Sequence, residues 1–142
     1  MKRVGASRTV LRGMRRRCGR CGGRRLFRGY FRLQERCPTC GYRFAREEGF
    51  WTGVFLVNFA VTEGLMFVVL MAFILVRAGT GAGGPLWPVL SACVGFAVLA
   101  PIAYYPFAAA TWAAIDLVLR PLEPDEEADA ATWAASRADV DP

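Results

Sequence analysis

The chain has 142 residues, 54% of them hydrophobic, yet it carries 18 Lys and Arg against 12 Asp and Glu. It has no histidine, which excludes any catalytic scheme built on imidazole. Residues 1–46 hold 15 Lys and Arg against one acid, Glu35, while residues 121–142 hold seven acids against one base, Arg137, a segregation that excludes one ordinary soluble domain and points to a membrane protein with a basic head and an acidic tail.

Residues 1–17, MKRVGASRTVLRGMRRR, read as a disordered basic arm. No apolar signal-peptide core follows it. Arg15, Arg16 and Arg17 suit contact with anionic lipid headgroups beside a membrane span.

Residues 18–44 contain two Cys-x2-Cys pairs, CGRCG and CPTCG, with 15 residues between them. This spacing is that of a four-cysteine zinc site. Two intervening residues let both thiolates of a pair turn toward one point, and a tetrahedral ion needs two such pairs. Gly22 and Gly41 follow the second cysteine of each pair, where a tight turn aims backbone N–H groups at sulfur. The expected ligands are Cys18, Cys21, Cys37 and Cys40, holding one structural Zn²⁺ per chain. Iron in the same thiolates, two disulfides and a redox dithiol are the rival readings. Leu26, Phe27, Tyr30, Phe31 and Leu33 are expected to form a short hairpin packed beside the metal. Arg24, Arg25, Arg28 and Arg32 interleave with these aromatics, which suits lipid headgroups and, as an alternative, nucleic acid.

Residues 45–49 form a hinge, and a first transmembrane helix follows over residues 50–77, bounded by Trp51 and Arg77. Residues 78–85, AGTGAGGP, form an external turn. The apolar stretch from Leu86 to Leu119 is about 51 Å long as one helix, too long to cross once upright. Pro101 and Pro106 therefore divide it into a second span, residues 86–106, and a cytoplasmic interfacial helix, residues 107–120, whose face is Ala108, Trp112, Ile115 and Leu119. One long kinked helix is the alternative. Residues 121–142 read as a disordered acidic tail.

Within the spans, Glu63 stands near the bilayer midplane, where a carboxylate is costly. It is either a proton, ion or partner site, or a protonated acid held by Thr62 and Asn58. Asn58, Thr62, Glu63 and Asp116 form the candidate set of polar contacts to a partner, with Asp116 near the hydrated interface. Gly53, Gly64 and Gly95 are expected at close helix contacts, and Met71 and Cys93 in the apolar packing. The basic residues before the first span place both termini in the cytoplasm.

The fold class is thus a small β zinc ribbon, a double Cys-x2-Cys knuckle, joined to an α-helical transmembrane hairpin. With CGRCG, LFRGYF, CPTCG, EEG, VTEG, the glycine–proline turn and PIAYYPFAAATWAAIDL in this order, residues 15–123 resemble the bacterial family known as domain of unknown function 983. PIAYYP is similar to its actinobacterial branch. In some bacteria the members of that family are encoded beside cytochrome oxidase subunits and assembly factors, which implies a role in respiratory-complex biogenesis. The expected protein is a non-enzymatic accessory or assembly factor of the bacterial inner membrane, contacting lipids and a membrane-protein partner or a second copy. A membrane-tethered ribbon binding RNA or a cytoplasmic protein is the alternative.

Overall fold

The computed structural model describes residues 5–81 and 84–138. The elements in order are α1 (Ala6–Met14), β1 (Phe27–Arg28), β2 (Arg32–Leu33), α2 (Phe50–Thr80), α3 (Trp87–Leu119) and α4 (Pro124–Ala138). β1 and β2 pair antiparallel, Phe27 opposite Leu33 and Arg28 opposite Arg32. The four-cysteine ribbon and the pair of long apolar helices are therefore both present, as the sequence predicts.

α2 and α3 form an antiparallel hairpin and are long and apolar enough to cross a membrane. Their large side chains point outward along most of their length, with Phe67 63% and Leu99 66% exposed. A helix that is apolar on every side and uncovered by protein needs lipid or another chain around it. The belt of exposed apolar residues runs from Phe55 to Val76 on α2 and from Trp87 to Ile102 on α3.

α3 is one continuous helix, so residues 107–120 are not a separate interfacial helix. Pro101 and Pro106 lie inside it. A proline removes one N–H from the ladder and leaves carbonyls of the preceding turn under-used. Asn58 Nδ2 donates to Pro101 O at 2.9 Å, and the Tyr30 hydroxyl donates to Ala103 O, on either side of Ile102, whose carbonyl loses its helical donor to Pro106. The helix then enters the head, where Ala108, Ala109, Ala110, Ala113 and Ala114 are all buried. The face expected from Ala108, Trp112, Ile115 and Leu119 is only partly realised, since Leu119 is exposed.

The basic arm is not disordered over Ala6–Met14. It forms α1, which crosses α3 so closely that a Cβ at Gly13 would lie 2.6 Å from Ala114 Cβ and 2.7 Å from Ala110 O. A nine-residue helix is marginal alone, and this contact supports it. The acidic tail is likewise a helix, α4, over Pro124–Ala138. Pro124 starts it, Asp125, Glu126 and Glu127 complement the positive end of its dipole, and Glu126 reaches back to the Glu123 N–H at 3.1 Å. Buried Ala130 seats it on Gly41, where a Cβ would meet Ala130 O at 2.1 Å. Residues 1–4 and 139–142, the outer ends of the expected arm and tail, lie outside the described residues.

Of the three span glycines, only Gly53 is a close contact. A Cβ there would lie 1.9 Å from Trp112 Cε2, whereas nothing lies within 4 Å of that position at Gly64 or Gly95. Met71 is exposed and Cys93 half-buried, so neither belongs to a core. Gly53→Leu should therefore force α2 from α3 and lower stability by about 1–3 kcal/mol. Gly64→Ala should leave stability unchanged or slightly raised. Thermal unfolding of both variants in detergent checks the contrast.

Candidate metal centre

The two knuckles repeat one backbone geometry. In the first, Cys18 N–H donates to Gly23 O at 2.9 Å and Gly22 N–H to Cys18 O at 2.8 Å. In the second, Cys37 N–H donates to Tyr42 O at 2.8 Å and Gly41 N–H to Cys37 O at 3.0 Å. Gly22 and Gly41 both have positive φ, +79° and +70°, the conformation that closes each turn without a side-chain clash.

These turns bring the four Sγ atoms within 4.8 Å of one another. Cys18 and Cys40 sulfurs are 3.8 Å apart, and Cys21 and Cys37 sulfurs 3.7 Å apart. An ion bound tetrahedrally at about 2.3 Å needs sulfurs about 3.8 Å apart, so the set fits a tetrahedral metal. A disulfide requires about 2.05 Å, and all four cysteines are free. Gly23 N–H reaches Cys21 Sγ at 3.3 Å, the kind of backbone donor that steadies a metal-bound thiolate. Arg12 Nη1 donates to Arg20 O at 3.1 Å, and Arg20 Nη1 to Cys40 O at 3.4 Å. The first knuckle is thereby tied to α1 and to the second knuckle.

Crowding divides the four thiols. Contact with the sulfurs of Cys21, Cys37 and Cys40, together with burial, drives the Cys18 thiol far up. The Cys18 sulfur draws Cys21 down to about 7 and Cys37 lower still; it pulls on Cys40 too, but Cys21, Cys37 and burial outweigh it and hold Cys40 high. A bound cation has to displace the protons held by the raised thiols.

Above the metal set, Tyr42 and Phe44 are buried against α3, with the Tyr42 hydroxyl 3.4 Å from Ala113 O. Burial pushes the Tyr42 phenol up. The Arg46 guanidinium stands 5.5 Å from the Tyr42 ring and bonds Asp116 at 2.8 Å, Glu126 at 2.8 Å and Arg120 O at 2.9 Å. Desolvation opposes the Arg46 charge, and the Asp116 carboxylate more than offsets it. Asp116 is thus not a hydrated partner contact: it is buried inside the head as the counter-ion of Arg46. Neither Arg46 nor Tyr42 stood out in the sequence as a site residue, because the Arg46–Asp116 pair spans 70 positions.

The other candidate residues separate. Thr62 is buried, and its hydroxyl donates to Asn58 O at 2.8 Å within its own helix. Asn58 Nδ2 is engaged by Pro101 O. Neither serves Glu63, which is half-buried and has no ion-pair partner among the described residues. Arg24, Arg25, Arg28 and Arg32 are exposed on the ribbon, and Arg15, Arg16 and Arg17 flank it at the end of α1. Tyr30 and Phe31 lie outside the hairpin core, exposed at its tip.

Cys37→Ser should remove one bound metal ion per chain, measured by elemental analysis, and loosen the head, measured by thermal unfolding. Metal affinity should rise from pH 6 to pH 8, because the raised Cys18 and Cys40 thiols must lose protons to bind. Asp116→Ala leaves the Arg46 charge buried and should cost about 3–5 kcal/mol, read as a lower unfolding midpoint.

Among known proteins, no curated protein and no solved structure matches the chain. One family matches residues 27–116, described as protein of unknown function (DUF983). The matched segment opens at β1, so it includes Cys37 and Cys40 and leaves out Cys18 and Cys21. It covers more than half of the chain, which therefore belongs to the DUF983 family.

Proposed function

We propose that this protein is a two-pass bacterial inner-membrane accessory or assembly factor. It serves a respiratory complex and docks on its partner through the first span. The observation that carries this reading is Glu63. The donor groups of the two neighbours able to satisfy it locally are spent elsewhere, Asn58 Nδ2 on Pro101 and the Thr62 hydroxyl on its own helix. A half-buried carboxylate in an apolar span then calls for a partner from another chain, either a second copy or a larger membrane protein.

The head supplies stability rather than chemistry. Four thiolates close a tetrahedral shell and leave no position for water, which suits a structural Zn²⁺ and a non-enzymatic protein. The excess of Lys and Arg before α2 favours a cytoplasmic head. Both termini then lie in the cytoplasm, a topology supported by α1 and α4 packing at the same end of the hairpin. The exposed Arg24, Arg25, Arg28 and Arg32 support a second reading, a tethered module that binds RNA.

Glu63→Ala should abolish co-purification of the membrane partner from mild detergent and leave zinc content intact. Glu63→Gln should retain more of it, since the amide keeps both hydrogen-bonding roles. Partner recovery unchanged by Glu63→Ala overturns the docking reading. RNA recovery lost on neutralising Arg24, Arg25, Arg28 and Arg32 would put the second reading in its place.

A further inference from the structure

We infer that the concavity between the end of α1 and the start of the ribbon is a binding site for the phosphate of an anionic phospholipid. It has a volume of about 520 Å³ and is lined by Arg15, Arg16, Arg17, Arg24 and Arg25 with Leu26, Phe27 and Gly29. No acid lines it.

Its charge is left standing by the rest of the fold. Arg20, Arg36 and Arg46 pair with Glu127, Asp129 and Glu126 of α4, and Arg43 and Arg120 pair with Glu35 and Glu47. The five arginines of the concavity have no ion-pair partner among the described residues. Five like charges around one hollow repel one another, and a bound anion relieves that repulsion.

The backbone is also held against its preference here. Arg16 and Arg25 have φ of +55° and +64°, and they are the only non-glycine residues with positive φ among those described. Arg16 takes the residue position past α1 where glycine usually closes a helix. Its N–H donates to Gly13 O at 2.8 Å, and Arg17 N–H donates to Arg12 O at 2.9 Å. Two strained residues, both arginine and both lining the same hollow, indicate that charge at these positions outweighs local strain.

Location selects a lipid over a soluble phosphate. This step rests on reading α2 and α3 as membrane spans. The Arg16 guanidinium lies between three rings, 5.1 Å from Phe27, 5.6 Å from Tyr30 and 5.4 Å from Phe107. Tyr30 bonds Ala103 O, one residue past Ile102, where the exposed apolar belt of α3 ends. Phe31 is 53% exposed beside Tyr105, with ring centroids 6.0 Å apart. A phosphate in the hollow therefore sits at headgroup level, with exposed aromatic and apolar surface beside it for acyl chains. A soluble phosphate compound has no use for that surface.

The test is native mass spectrometry of the detergent-purified full chain titrated with phosphatidylglycerol, phosphatidylcholine, inorganic pyrophosphate and a uridine oligonucleotide. Phosphatidylglycerol should bind and phosphatidylcholine should not. Arg24→Gln combined with Arg25→Gly should weaken phosphatidylglycerol binding about 30-fold, about five-fold per charge removed. Arg24→Lys and Arg137→Gln should leave it within about two-fold, since the first keeps the charge and the second lies outside the hollow. Arg25→Gly alone should keep its metal and unfold at the same or a higher temperature, because glycine relieves the positive φ. Equal weakening by Arg137→Gln, or none in the double variant, overturns the site, as does pyrophosphate or oligonucleotide binding as tight as the lipid. Release of the protein from membranes by alkaline carbonate would instead overturn the span reading beneath it.

Discussion

The head depends on the last turns of α3 being lined with alanine. Ala109, Ala110, Ala113 and Ala114 present almost no side-chain bulk, so other backbones approach α3 directly. Gly13 of α1 and Gly19 of the first knuckle both come to Ala114, and Tyr42 reaches Ala113 O. Small residues on both sides of a helix contact maximise dispersion and need few large side chains. A ribbon with two strands of two residues each has too few apolar groups for a core of its own. A metal ion held by the four clustered cysteines would crosslink its knuckles, and α3 supplies the surface on which they rest.

Charge decides the next layer. The ribbon is basic throughout, and α4 brings Glu126, Glu127 and Asp129 to Arg46, Arg20 and Arg36. The Arg36 and Arg20 contacts involve well-exposed acids and contribute little each. The Arg46–Asp116 pair is different, since both side chains are only 9% exposed and each needs the other. It joins the hinge after the ribbon to the end of α3, and Glu126 extends it to α4. Three segments far apart in sequence thus share one buried guanidinium.

What the sequence revealed follows from range. The knuckles were legible because four ligands at fixed local spacing define their own geometry. The two long apolar helices were legible because hydropathy over twenty residues needs no partner. The arm and tail read as disordered because their composition is polar, and the contacts that order them, Gly13 on Ala110 and Gly41 on Ala130, lie outside any local window. Asp116 read as hydrated for the same reason. Pro106 suggested a break, but α3 runs through it unbroken, with Asn58 and Tyr30 donating to Pro101 O and Ala103 O on either side of Ile102.

α3 belongs equally to the apolar hairpin and to the head, and this removes the usual independence of a tethered domain. A flexible linker would let the ribbon sample many orientations above a bilayer. Here Asn58 fixes α2 to α3 at Pro101, Gly53 fits under Trp112, and the same helix continues unbroken to Asp116. The ribbon therefore has one orientation relative to α2 and α3, set by its side-chain and close backbone contacts with α3. From Phe107 to Asp116 the rise is only about 14 Å, so the head sits close against whatever surrounds the apolar belt. A partner that gripped α2 at Glu63, as proposed, would meet a ribbon already aimed. It need not pay the entropy of ordering it, which is the physical advantage of building head and anchor on one helix.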